Sequence, residues 1–262
     1  KRNLIFTILF SAYCVGCLAL MSDFGTALIF FVAFLCIAFL RTGDLPSIVM
    51  ITAAAGFAGG IVLRFKPYVL ARFAVWRHAW EYAQEEGYQQ TRTMSAVASG
   101  GLFGAGPEEA WLKYVGAANT DLVFGVVSEE FGLLLALCAA AAVILLGIYA
   151  LRAAGRSRSS FYAIAACATA AMLVFQTTLN VLGSVDLLPL TGVTFPFVSM
   201  GGSSMLSCWG LLAYLQAAAP PPVSVKAAPK APAPAVKPPQ ATGFLDELGV
   251  ATDDIFGKED AR

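Results

Sequence analysis

The sequence predicts an all-α polytopic membrane protein with about six transmembrane helices, one large extracellular loop and a disordered cytoplasmic tail. Three observations predict it. First, the 262-residue chain is 58% hydrophobic and only 13% charged, with a mean hydropathy of +0.71; an ordinary soluble domain is roughly a quarter charged. Second, the apolar residues gather into runs close to the ~20 residues that a helix needs to cross a bilayer. Third, the composition breaks after Gln216 into an Ala/Pro/Lys-rich stretch, "AAAPPPVSVKAAPKAPAPAVKPPQATG". That stretch has too little apolar surface to offset the entropy of ordering it.

The runs are Leu4–Met21, Phe24–Leu40, Ser47–Leu63, Phe131–Leu151, Phe161–Leu182 and Met205–Gln216. The first exceeds the apolar core of a secretory signal and leads straight into the second, so it reads as a membrane helix. Because the chain starts at Lys1 with an apolar run close behind, an N-terminal portion is expected to precede it. Residues 1–217 form the expected membrane domain, including a long loop over 64–130, and 218–262 form the tail. Within the tail, "FLDELGVATDDIFGKEDAR" sets apolar residues among acids and reads either as disordered in isolation or as a short helix that docks on a partner.

Orientation follows from basic residues in the short loops. Lys1 and Arg2, Arg41, and the trio Arg152, Arg156 and Arg158 fall on one side if all six runs cross, and that side is cytoplasmic. The long loop and the segment "GSVDLLPLTGVTFPFVSMGGSS" then lie outside. In the long loop, Phe73, Trp76, Trp80 and Ala83 recur at helical spacing, which suits an amphipathic helix on the membrane surface or a short helix packed over the bundle.

Several function classes are disfavoured. The net charge is zero, so no basic field recruits nucleic acid. The six cysteines sit in or at apolar runs, and the Cys14–Cys17 pair lacks polar neighbours, so small packing residues describe them best. His78 is the only histidine, which leaves little for a His-based metal site or a catalytic triad. "GGLFGAG" has phosphate-loop glycines without the Lys-Ser/Thr that completes such a loop.

Polar residues at membrane depth mark candidate chemistry. The stretch "NTDLVFGVVSEEFGLLLAL" brings Asp121, Glu129 and Glu130 to the mouth of an apolar run. On a helix at about 100° per residue, Asp121, Gly125, Ser128, Gly132 and Ala139 share a stripe, Glu129 flanks it and Glu130 faces away. Two readings stand. Asp121 is either an acid of the first turn behind an Asn119 or Thr120 cap, or a functional carboxylate in a groove of small residues. Gln176 and Asn180 share a helix face and read as hydrogen-bonding glue between helices.

Four segments occur in order: "MSDFGTAL", "GYQQTRTMSAVASGGLFGAG", "NTDLVFGVVSEEFG" and "FQTTLNVLGSVDLLPLTGVTFPFVSMGGSS". They resemble the signatures QPDLGTAL, GYQ…SGGLFGKG, HTDFIFAVIGEELG and FQ..IN.G…GLLP.TG..LPF.SYGGSS of the SEDS family (shape, elongation, division and sporulation), of the RodA and FtsW type. The resemblance runs from about Leu4 to Gln216 and corresponds to the last six of the family's ten spans. It departs where PEAHTD becomes "GAANTD", Gly116 to Asp121, where an often acidic position is Lys113, and where SYGGSS becomes "SMGGSS".

The resemblance implies a peptidoglycan glycosyltransferase that polymerises lipid II at the outer face of the cytoplasmic membrane, in elongation, division or sporulation. It implies Asp121 as the family's essential catalytic carboxylate. It places Gln89, Thr120, Glu129 and Ser203, each inside a matched motif, at the substrate. It also implies a growing glycan strand, a class B penicillin-binding protein (a transpeptidase) and membrane lipids as partners. Glycosyl transfer from a lipid pyrophosphate needs a carboxylate to take a proton from the attacking hydroxyl and cations to hold the leaving group. Arg72, Arg77, Arg92 and Lys113 are candidates for the second role, with a bound divalent cation, Mg or Mn, as the alternative. A precursor flippase or a non-catalytic scaffold of the wall-synthesis machinery are the competing readings.

Overall fold

A computed structural model describes residues 2–20, 23–65, 67–157 and 159–218. The tail expected over 218–262 lies outside the described residues except for its first residue. Among the described residues all regular structure is helical. Helices α1 (Arg2–Leu20), α2 (Phe24–Thr42) and α3 (Leu45–Phe65) occupy the first three expected spans; α7 (Leu133–Arg156), α8 (Ser160–Ser184) and α9 (Gly202–Ala218) occupy the last three. Between them stand α4 (Pro67–Val75), α5 (Tyr88–Gly100), a 3₁₀ turn at Leu112–Tyr114, and α6 (Val123–Phe131).

By length and hydropathy, three helices among the described residues can cross a bilayer: α2, α7 and α8. The apolar parts of α1 and α3 described here are shorter, Ile8–Leu18 and Leu45–Phe57. Helix α9 has 17 residues, a rise of about 26 Å, a little under the ~30 Å hydrocarbon core.

Local chemistry sets the helix ends. Asp23 caps α2, its Oδ1 accepting from the Thr26 N–H at 3.0 Å. Gly43 closes the same helix at φ 65°, donating to Phe39 O. Helices α7 and α8 form the main packing pair, with α2 against the other side of α8. Their seam is small: Ala136, Ala140, Ala150, Ala166 and Ala170 are buried. A methyl group on Gly147 would meet Val174 Cγ2 at 2.7 Å. Lipid tails give helices no hydrophobic reason to associate, so close backbone approach through small residues supplies the dispersion contact instead.

The structure corrects two expectations. The amphipathic helix over Phe73, Trp76, Trp80 and Ala83 does not form. Helix α4 stops at Val75, Arg77 takes φ 64°, and successive turns run from 76 to 87. Within the turns the Gly87 backbone packs against the Ala79 carbonyl, while Phe73 and Trp80 stay exposed. The second correction is to the continuous helix drawn through Asp121 and Gly132. Asp121 lies in a turn before α6, and neither Asn119 nor Thr120 caps it; the residue at the cap is Leu122, with no side-chain bond. Gly132, at φ 92°, then breaks the path between α6 and α7.

That break explains the "GGLFGAG" glycines. The turn over 101–106 threads backbone to backbone past the α6–α7 junction. Leu133 N–H donates to Gly101 O at 2.9 Å and Ala105 N–H to Glu129 O at 2.8 Å. A Cβ on Gly132 would overlap the Leu102 carbonyl, and one on Gly104 would overlap that of Glu130. Both glycines also have positive φ, where a side chain is strained. Gly132→Ala is therefore expected to lower stability by about 1–3 kcal/mol. Gly43→Asn, in open space at a left-handed helix end, should cost less than about 1 kcal/mol. Thermal unfolding of the two variants in detergent, followed by thiol-reactive fluorescence, compares them directly.

Candidate functional site

Asp121 sits in a turn built around one residue. Ala117 takes the left-handed conformation at φ 64°, and its carbonyl accepts from the N–H groups of Thr120, Asp121 and Leu122 at 3.0 to 3.2 Å. The turn is stitched to the irregular segment 189–201. Ser199 Oγ donates to Thr120 O at 2.6 Å and accepts from Phe195 N–H at 2.7 Å. Met200 N–H donates to Asn119 O at 2.8 Å.

Asn180, on α8 and 1% exposed, joins both sides. Its Nδ2 donates to Asp121 O at 2.8 Å and to Val193 O at 2.7 Å. Gln176, one turn earlier, donates to Thr194 O and Oγ1. The pair read as glue between helices instead fastens α8 to irregular backbone. Buried carbonyls in such a segment need donors from somewhere, and these side chains provide them. Asn180 Oδ1 and Thr191 Oγ1 are buried without a protein partner, so the region keeps unspent hydrogen-bonding capacity.

The functional groups converge on Gly192. It has φ 73°, and a methyl group there would lie 3.4 Å from Asp121 Oδ2 and 3.7 Å from Arg72 Nη1. Arg72, on α4, is fixed by donating Nη1 to Leu190 O at 2.9 Å. Asp23 is also within electrostatic range of Asp121, and α2 begins against this loop, since a Cβ on Gly25 would lie 2.8 Å from Thr191 O. Burial pushes the Asp121 carboxyl above the ordinary carboxylate value; the Thr120 hydroxyl and Arg72 pull it down, and Asp23 raises it.

The other expected residues divide. Gln89 stands with Arg72 around one cavity and donates to Gly116 O at 3.4 Å. Thr120 adjoins Asp121. Arg92 lies over the Tyr88 ring on its own helix, at 5.1 Å. Lys113 donates to Pro107 O at 2.6 Å and lies over Tyr114. Ser203 is exposed; its neighbour Ser204 is the one that reaches the site loop, through Thr194 Oγ1 at 2.7 Å.

Glu129 must be corrected outright. It is 1% exposed, and its two oxygens accept from the N–H groups of Trp111 and Leu112 at 3.1 and 2.9 Å. It holds the 3₁₀ turn, and its burial leaves it no open face for a substrate to reach. Arg77 contributes its backbone, donating N–H to Asp186 Oδ1 at 3.1 Å, and Gln90 donates to the same oxygen. Asp186, at φ 60°, is a brace that sequence reasoning missed, although an acid inside a matched motif was a signal. For a divalent cation, no group of three or more His, Cys, Asp or Glu side chains among the described residues is placed to hold one. Asp23 and Asp121 fall short of such a set.

The comparisons with known proteins bear on this arrangement. The family model for cell cycle proteins of the FtsW, RodA and SpoVE type matches residues 1–220. The chain belongs to that family. It is 33% identical over 204 residues to the peptidoglycan glycosyltransferase RodA of Mycobacterium leprae, covering 77% of this chain and 43% of that protein. It is 30% identical over 218 residues to the probable peptidoglycan glycosyltransferase FtsW of Bacillus subtilis, covering 76% and 52%. A chain in a solved peptidoglycan synthase complex superposes with a TM-score of 0.62 at 25% identity, over 80% of this chain and 59% of that one. This FtsW/RodA-type chain spans about half the length of the curated relatives it matches.

Two stability effects follow from the geometry. Asn180→Leu removes two donors from buried carbonyls and should cost about 2 kcal/mol or more. For Asp121 the sign is opposite. Its folded-state pKa is raised, so its ionisation opposes folding progressively as pH climbs from the unfolded value to the raised one, and the cost persists above that. Asp121→Asn is therefore expected to be neutral or stabilising at pH 7 and to flatten the pH dependence of the melting temperature. Melting curves from pH 4 to 8 check both variants; a clear loss of stability in Asp121→Asn would contradict the assignment.

Proposed function

We propose that this chain is the C-terminal part of a peptidoglycan glycosyltransferase that polymerises lipid II into glycan strands at the outer face of the cytoplasmic membrane, with Asp121 as the general base. The observation that carries the proposal is the convergence on Gly192: a half-buried carboxylate with a raised pKa, held by its backbone, beside a guanidinium with donors to spare. The family membership and the relatives' names support it. The basic residues Arg41, Arg152 and Arg156 in short loops support an orientation with Asp121 outside.

In the reaction, a sugar hydroxyl gives its proton to Asp121 as its oxygen bonds to the anomeric carbon of the donor. The bond from that carbon to the lipid pyrophosphate breaks, and the electron pair leaves with the pyrophosphate. A base works best with a pKa near the working pH, and burial moves Asp121 in that direction. Arg72 stands where negative charge develops, and the loss of water from a half-buried site strengthens its pull. The superposition on a peptidoglycan synthase complex supports a class B penicillin-binding protein as partner, coupling polymerisation to crosslinking.

Asp121→Asn should reduce lipid II polymerisation by the full-length protein by a factor on the order of 10² or more while leaving it inserted and folded. Undiminished glycan chains from that variant would refute the role. The pH profile gives a second check. Asp121 must be ionised to act, so activity should fall as pH drops through its pKa. Arg72 lowers that pKa, so Arg72→Leu should move the acidic limb to higher pH, beyond any loss of rate at the plateau.

A further inference from the structure

The turn "GLFGAG" over 101–106 carries no polar side chain. Phe103 is 83% exposed and Leu102 62%, although the backbone beneath them is tightly held. Gly104 N–H donates to Gly100 O at 2.8 Å, and Gly106 N–H to Glu130 O at 3.2 Å. Neither Gly104 nor Gly132 has room for a Cβ. A fixed turn that presents two large apolar side chains needs a cover, because their exposure to water is costly.

Two features identify that cover as hydrocarbon. The first is hydrogen bonding. The leading N–H groups of a helix have no acceptor within the helix. In α7, Leu133 N–H donates to Gly101 O at 2.9 Å and Leu134 N–H to Leu102 O at 3.3 Å. In water, solvent would serve these donors as well. Inside a bilayer each needs a protein partner, and the turn supplies it.

The second feature is depth. Helix α7 is long and apolar enough to cross a membrane, and its first charged residue is Arg152, exposed near the far end. Along the helix axis Leu133 stands about 28 Å from Arg152, close to the ~30 Å of a hydrocarbon core. With Arg152 at one boundary, Leu133 and the turn bonded to it lie at the other. Phe131, Leu134 and Leu135, each about half exposed, continue the apolar surface from the turn onto the span. Glu108 and Glu109, exposed just beyond the turn, limit how deep the segment can go.

We propose that the turn bearing Leu102 and Phe103 is a membrane wedge, inserting both side chains among the acyl chains of the leaflet on the Asp121 side. Its partner is the apolar part of the bilayer, engaged through buried area and not through head-group charge. Helix α5 ends where the turn begins, and α6 ends against it. The wedge therefore fixes the height of both helices at the membrane surface. It stands independently of the glycosyl-transfer reading.

The test places benzoylphenylalanine, a photo-crosslinking amino acid, in the full-length protein at one position at a time. The positions are Leu102, Phe103, the exposed mid-span Leu145 as the lipid-facing reference, and the exposed Glu109 as the water-facing one. Each protein is irradiated in phosphatidylethanolamine–phosphatidylglycerol vesicles and in native membranes, and its adducts are identified by mass spectrometry. Positions 102 and 103 are expected to give lipid adducts within about twofold of Leu145 and about tenfold above Glu109. Both side chains are exposed, so neither replacement disturbs packing, and each position tests the wedge separately. Lipid adducts at both positions no more frequent than at Glu109 would overturn the proposal. Adducts to another protein or to a second copy in native membranes, in place of lipid, would overturn it equally.

Discussion

The amide of Asn180 is the interaction on which the rest of the site depends. One buried side chain donates to Asp121 O and to Val193 O, two carbonyls that belong to separate irregular segments. Neither segment has a ladder or a helix to satisfy its backbone. In a protein that must bury such backbone at the edge of a bilayer, every carbonyl without a donor costs free energy. The Asn180 amide supplies two donors at once, from a helix that is itself locked between α2 and α7. The position of Asp121 is thereby tied to the rigid bundle and not left to its own turn.

The same logic governs the glycines and Glu129. Where the chain over 100–106 passes the α6–α7 junction, backbone atoms come so close that a Cβ on Gly104 or Gly132 would overlap a carbonyl. Glu129 then fastens the 3₁₀ turn from within, its carboxylate paired with two N–H groups. A buried acid is costly unless its oxygens find donors, and here each oxygen has one. Of the three acids near the start of the fourth apolar run, one braces the fold, one sits half-buried beside a guanidinium, and Glu130 meets the glycine turn through its backbone carbonyl. Acidic residues thus serve different ends because packing gives each a different share of water.

Much of this was legible in the chain. The six apolar runs became six helices, with α2 and α8 close to the expected bounds. Asp121 stood out as an acid at the mouth of a span, and Arg72 as a cation in the same loop. Other readings failed for identifiable reasons. Periodicity over Phe73 to Ala83 could not reveal a run of turns, because turn residues at spacings of three to four mimic a helix face. A helical wheel through Asp121 and Gly132 assumed one axis where positive φ at Gly132 makes two. Asp186 and Ser204 escaped notice because their partners lie on other elements.

The sequence alone determined the partition between lipid and water and the family, and it singled out Asp121 as a candidate, since hydropathy, charge and motif order are properties of the chain read in one dimension. Only the tertiary structure decided what surrounds that acid. Asn180 lies 59 residues from Asp121, and Arg72 reaches Leu190 across 118. Which amide meets which carbonyl over such separations is fixed by how helices pack, not by local propensity. The burial that raises the Asp121 pKa, and the cavity that Arg72 shares with Gln89, exist only once that packing is complete.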